Sequence, residues 1–231
     1  MDESGKKILL ELQGVAEQRA LRTADPALAA SVEAVKAFQH RRFAHTYADM
    51  LAHPRFGPAA RFFLADLYGP SDFSARDTQF ARVVPALVRL FPRELVSTVG
   101  SLAALHALSE RLDTLMGVAL CGKTVDAASY TEAWRACGTP ADREQQIVLT
   151  GQVGASLERY TRNPLLRHSL RMMRGPAQAA GLGALQRFLE TGFDTFKEMR
   201  GSGDFLQAIA QRERATCDAL FSGRSEVLPE L

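Results

Sequence analysis

Lysine is scarce in this chain. Only Lys6, Lys7, Lys36, Lys123 and Lys197 stand among 28 basic residues, and 26 acidic residues leave a formal net charge of +2. A balance that small excludes a global pull toward nucleic acid or membrane, so any such claim must rest on a local cluster. Cysteine is scarce too: Cys121, Cys137 and Cys217 form no C-x-x-C pair and leave an odd number. That points away from a disulfide framework or a zinc site and toward reduced thiols in a cytosol. No uninterrupted apolar stretch approaches the roughly 18 residues of a membrane span. The opening "MDESGKKILLELQG" lacks the sustained apolar region and small-residue cleavage site of a secretory signal. A cytoplasmic protein is expected.

The most informative absence is of β-pattern. Repeated short β-branched runs with period-two alternation, which a sheet of several strands requires, do not occur; "QIVLTG" comes nearest and lies inside a longer helical pattern. What is there is helical punctuation. Asp25-Pro26, Thr139-Pro140 and Asn163-Pro164 each set a capping residue before a proline suited to the first turn, and Thr139 with Asp142 resembles a capping box. Phe80, Val83, Val84, Leu87, Val88 and Phe91 line one helical face, with Pro85 inside the run. The spacing predicts helices near 5–22, 26–52, 58–68, 74–91, 93–120, 126–137, 140–161, 164–174, 176–199 and 204–222. An all-α, single compact domain over 1–223 with about nine or ten helices and no sheet is expected, with 224–231 as a flexible tail.

The stretch "RFFLADLYGPSDFSARD", Arg61 to Asp77, resembles the segment that names the bacterial FFLEELY-motif proteins. Phe62, Phe63, Leu64, Leu67 and Tyr68 match, while Ala65 and Asp66 stand where that name has two glutamates. The likeness runs on through "VVPALVRLFP" toward "LHALSERLD". It implies a bacterial source and an all-helical fold, and carries no catalytic residue across. Physically the segment reads as a corner: Phe63 and Leu67 turn inward, Gly69 and Pro70 stop a short helix, and Ser74 with Asp77 caps the next. Asp66, Tyr68, Asp72, Arg76 and Asp77 crowd that corner, either as an Arg–Asp clasp between helices or as a polar site.

Four features could carry chemistry. "GVALCGKT", Gly117 to Thr124, fits G-x-x-x-x-G-K-[ST], but that loop cradles phosphate only between a buried strand and a helix. Helical spacing precedes it here, so Gly122 reads as a helix stop, Thr124 or Asp126 as the next cap, and nucleotide binding is not expected. His106 flanks an apolar stripe with Glu110 one turn on, which suits either a partly buried histidine or a ligand to haem or metal; no metal site is expected, since no Glu-x-x-His occurs. His45, Asp49 and His53 fall on one solvated arc. From Arg159 to Leu189 there is no acidic residue, and Arg167, Arg171 and Arg174 share a face opposite Leu165, Leu166, Leu170, Met172 and Met173. That face either docks on anionic lipid or an acidic partner, or pairs with carboxylates of other helices. Nucleic acid ranks low, because Tyr160 alone interleaves these arginines.

Two functional classes remain open. The first is a non-catalytic binding or protein-interaction module working through the Arg167 face. The second is a helical pocket for haem or an apolar ligand near His106 and Glu110, bordered by Asp66, Tyr68 and Arg76.

Overall fold

Helices begin where a capping side chain precedes a proline. Asp25 accepts from the backbone N–H groups of Ala27 and Leu28 at 3.0 and 3.1 Å, Asn163 accepts from Leu165 at 3.0 Å, and Thr139 and Asp142 form the expected reciprocal capping box. Each cap satisfies N–H groups that have no intrahelical partner, and the proline removes one such donor outright. The computed structural model describes residues 2–67 and 74–229, apart from the side chains of residues 66, 67, 74 and 75.

The order is α1 (Glu3–Ala24), α2 (Pro26–Thr46), α3 (Ala48–Ala52), α4 (Gly57–Phe62), a π-helical turn (Phe63–Leu67), α5 (Ser74–Leu90), α6 (Arg93–Ala119), α7 (Ala127–Cys137), α8 (Pro140–Thr161), α9 (Pro164–Met172), α10 (Arg174–Ala179), α11 (Gly183–Met199) and α12 (Gly203–Phe221). Among the described residues the fold is all-α, without a strand. Twelve helices rather than nine or ten arise because two expected spans are broken. The 26–52 span parts at Tyr47, whose φ of −113° and ψ of 22° leave the helical region. The 176–199 span parts at Gly181, at φ +71°, where Gly181 N–H bonds to Gln178 at 3.0 Å and Leu182 N–H to Ala177 at 2.7 Å. This is the Schellman closure, and glycine supplies it because it adopts φ > 0 without a Cβ penalty.

Helix α6 is the axis of the fold and packs against α1, α2, α7 and α8. Its approach to α2 depends on Gly117, since a Cβ there would collide with Cγ2 of Val32, while the Gly117 carbonyl accepts from Ser31 Oγ at 2.7 Å. Three apolar clusters surround the axis. Val35, Phe38, Met116, Tyr130 and Leu220 centre the first; Met50, Phe62, Phe63, Phe196 and Phe205 the second; Ile8, Leu12, Val84 and Val96 the third. The described residues after α12 pack back on the fold. After Gly223 turns at φ +80°, Arg224 N–H bonds back to Ala219 at 2.9 Å and Leu228 inserts into the first cluster with 5% exposure. Burying a leucine stabilises by roughly 1.5–3 kcal/mol, enough to hold a short segment down.

Tyr68, Gly69, Pro70 and Asp72 of the expected corner lie outside the described residues, as do the side chains of Asp66, Leu67 and Ser74. Phe63 is buried in the second cluster, and α5 opens at Ser74.

Candidate functional site

Two polar centres lie on adjoining faces of α6. The first gathers His106, Glu110, Arg76 and Asp77. His106 Nε2 lies 2.8 Å from Asp77 Oδ2, which also receives Arg19 Nη2 at 2.7 Å; Arg76 Nε stands 3.6 Å from the other oxygen. The aspartate, not Glu110, therefore orients the imidazole. Glu110 binds Arg22 Nη1 at 2.6 Å and Lys36 Nζ at 2.9 Å, with Arg19 Nη2 at 3.8 Å linking the two carboxylates. Its side chain is 5% exposed. Burial pushes the Glu110 carboxyl up, but Lys36 and Arg22 outweigh it and hold the group down at about 2. Asp77 is likewise lowered: burial opposes, and His106, Arg19 and Arg76 prevail. The cluster is an interlocked set of opposite charges joining α1, α2, α5 and α6. Asp66 and Tyr68 cannot be added to it, since both side chains lie outside the described residues.

The basic segment divides its arginines. Arg167 Nε bonds to Asp194 at 2.6 Å, and Arg174 Nη2 pairs with Glu190 at 2.6 Å, both across to α11. Arg171 is exposed. The apolar face expected to cover the core is turned outward in part: Leu165 is 74% and Met172 67% exposed. "GVALCGKT" spans the last turn of α6 and the loop after it. Gly117 is the helix-crossing glycine, Gly122 turns at φ +75°, and Asp126 caps α7 by accepting from Ser129 N–H at 2.8 Å.

The second centre is a cavity of about 80 Å³ between the first and second apolar clusters. Its apolar wall includes Met50, Phe63, Leu64, Ile147, Phe205 and Ile209; Gln39, Arg42, Ser109, Asp113, Arg143 and Glu213 are among its polar members. Phe63 and Leu64 come from the "RFFLADLY" stretch. Ser109 and Asp113 come from α6, whereas His106 does not reach the cavity.

The cations of this cavity are treated unequally. Arg42 Nη1 is 2.6 Å from Glu213 Oε1, which also accepts from Tyr47 OH at 2.7 Å; burial lowers the Arg42 guanidinium's pKa but Glu213 raises it further. Arg143, 4% exposed, makes no ion pair among the described residues. Its Nη1 donates to Gln146 Oε1 at 3.0 Å, its Nη2 meets Met116 Sδ at 3.5 Å, and its Nε has no acceptor. Burial pushes its pKa down, with Tyr130 and Asp113 opposing. Two further buried donors line the same space. Trp134 Nε1 lacks a partner, and Gln39 approaches the Tyr130 hydroxyl without closing a bond of ordinary geometry. Asp113 accepts from Gln39 Nε2 at 3.0 Å and lies 3.8 Å from Lys36; burial raises its pKa, with Lys36 opposing and Glu110 reinforcing. Cys217, on the same wall, is pushed up to about 11 by burial and is held as an unreactive thiol.

Sequence reasoning missed this centre, although a signal was present. Val35, Phe38 and Arg42 continue one stripe of α2, and Arg143, Ile147 and Thr150 one stripe of α8, so each arginine occupies a position that periodicity assigns to the core. A charged residue there is rare unless paired. Among the described residues no helix is long and apolar enough to cross a membrane. No curated protein and no solved structure matches the chain. The family model described as a domain of unknown function, DUF8198, matches residues 18–227, and on that near-complete match the chain belongs to the DUF8198 family.

Proposed function

We propose that this protein is a cytoplasmic binding protein that holds a small polar ligand in the cavity bounded by α2, α6, α7, α8 and α12. One observation carries the reading: Arg143, Tyr130 and Trp134 all line a single cavity, and each carries a buried donor without a normal partner among the described residues. Protein interiors satisfy nearly all such groups, so several orphans around one space speak for an occupant. The volume of about 80 Å³ exceeds the roughly 10–15 Å³ needed by one water and falls short of the about 150 Å³ cavity that accepts benzene. Haem is far larger than benzene, and His106 Nε2 is already engaged by Asp77; the pocket is therefore assigned away from His106.

The test is a thermal-shift screen against small polar metabolites, run on wild type and on Ala60→Leu, which fills the space from α4. Compounds that raise the wild-type melting temperature and lose that effect in Ala60→Leu support the reading. A shift that survives the filled cavity, or no shift from any compound, sinks it.

The exposure of Leu165 and Met172 favours a second reading, in which the α9 face docks on an anionic bilayer. These two residues lie within about 20° of each other around the helix, and exposed His168 and Arg171 flank them. Co-sedimentation with phosphatidylserine vesicles, weaker for Leu165→Ser and Arg171→Glu and absent with phosphatidylcholine alone, is the expected result. Arg167 and Arg174 are poor probes, because their ion pairs to α11 would be broken too. Equal binding to both vesicle types, or none, removes this reading.

A further inference from the structure

The same cavity lining bears on the charge of the ligand, an inference that rests on the cavity being the binding site. Among the described residues, each charged group around the cavity except one has an ion-pair partner. Arg42 is matched by Glu213 at 2.6 Å. Asp113 has Lys36 at 3.8 Å and an amide donor from Gln39 at 3.0 Å. Arg143 has only neutral contacts: an amide oxygen, a thioether sulfur and the Trp134 ring face, 3.6 Å from its guanidinium carbon. Gln146 is itself held in place, its amide nitrogen donating to Ser109 Oγ at 2.9 Å. Arginine does not shed its proton in proteins, so this buried cation stays charged, with Asp113 acting on it only from beyond ion-pair distance.

The unsatisfied groups beside it are all donors. Trp134 Nε1 can only donate, and the Tyr130 hydroxyl has a proton with no acceptor of ordinary geometry. A guest complementary to one cation and two neutral donors is an acceptor bearing a single negative charge. A carboxylate offers two oxygens and about four lone-pair sites. A dianion would bring a second charge with no unpaired cation to meet it. The lining also has apolar members, Ile147 and Phe205 among them, to receive a methyl group. At about 80 Å³ the room suits a guest smaller than benzene.

We propose that the cavity binds a small monocarboxylate of acetate size, with Arg143 as its counter-ion and the Tyr130 hydroxyl and Trp134 indole as oxygen-binding donors. Bridging of Arg143 to Asp113 by solvent is the competing account of the same lining.

Trp134 is the single tryptophan of the chain, so its fluorescence reports directly on the cavity. The full-length protein is titrated with sodium acetate and, at matched ionic strength, sodium chloride; acetamide serves as the neutral isostere. A saturable change in Trp134 emission with acetate, accompanied by a rise in melting temperature and absent with chloride or acetamide, is the expected result. Arg143→Gln abolishes it, and Tyr130→Phe weakens acetate binding roughly five- to tenfold, as the loss of one hydrogen bond predicts. Acetamide acting as strongly as acetate overturns the anion assignment while leaving the cavity a binding site. No response to either overturns this assignment, and the cavity reading itself is then judged by the metabolite screen. Retained acetate binding in Arg143→Gln overturns the counter-ion assignment; should that variant fail to fold, unchanged acetate affinity in Tyr130→Phe overturns the proposal instead.

Discussion

The guanidinium carbon of Arg143 rests 3.6 Å from the centre of the Trp134 ring, and in place of a carboxylate it has the face of an indole. Stacking of this kind supplies part of what an ion pair would, up to about 2 kcal/mol when desolvated. It leaves the charge without an ion pair, which sets Arg143 apart from the other arginine buried among the described residues, Arg42.

Arg143→Met exploits that contrast. The substitution removes a buried cation together with its ring contact and its Gln146 hydrogen bond, and apolar replacement of poorly compensated buried charge is often neutral or stabilising. In ligand-free buffer the variant is expected within about 1 kcal/mol of wild type by urea denaturation. A loss of several kcal/mol would mean that Arg143 is a structural keystone and not a poised site.

Glu110→Gln is expected to behave in the opposite way. It strips the common acceptor from Arg22 and Lys36, and removing one partner of a buried ionic set typically costs 3–5 kcal/mol, here about 3. Lys36→Met, which leaves Arg22 on Glu110, should cost less.

The pH dependence has a definite sign. Glu110 ordinarily titrates at 4.5 and is held at about 2 in the fold, so below pH 4.5 the unfolded chain binds the extra proton. The stability it contributes, roughly 3 kcal/mol for a shift of this size, is fully present above pH 4.5 and lost as pH falls toward 2. Asp77, also lowered, acts in the same direction. Urea midpoints measured from pH 6 to pH 2.5 should fall steeply in wild type and less steeply in Glu110→Gln. Parallel curves would remove Glu110 from the account of acid lability.

Within "GVALCGKT" the two halves of the pattern should part company. Gly117→Ala sets a methyl against Val32 at the α2–α6 crossing, an overpacking cost of about 1–3 kcal/mol offset in part by roughly 1 kcal/mol of helix propensity. Lys123→Ala, exposed in the loop, should change stability by less than about 0.5 kcal/mol, and ATP with Mg²⁺ should leave the melting temperature unchanged. A melting temperature raised by ATP and dependent on Lys123 would restore the phosphate reading.

Leu228→Ala tests the docked tail. Truncating a buried leucine costs about 2–5 kcal/mol, the lower figure applying where the segment can readjust, whereas in a loose tail the change would be silent. Chemical denaturation separates the two.

Local features were legible because their causes are local. The caps at Asp25, Thr139 and Asn163 involve side chains two or three residues from the N–H groups they satisfy. Gly223 closes α12 at a φ angle that favours glycine, whereas α6 is capped by Leu120 and Gly122, expected as its stop, serves the turn that follows. His106 and Arg76 lie near one centre, but the group that joins them, Asp77, is 29 residues from His106, and Glu110, one helical turn from His106, binds Arg22 and Lys36 instead. The breaks at Tyr47 and Gly181 were missed because the apolar spacing on either side keeps its phase.

By itself, the amino-acid sequence determined the all-α class, the main helix starts and stops, and the absence of any alternating strand pattern, since each depends on contacts within a turn or two of the chain. The tertiary structure alone decided which buried charges are paired. Arg42 meets Glu213 across 171 residues and Arg22 meets Glu110 across 88, distances at which no local rule acts, while Arg143 pairs with no carboxylate among the described residues. Whether a core arginine is a strut or a vacant binding group depends on what the other helices bring to it, and only packing around α6 sets that.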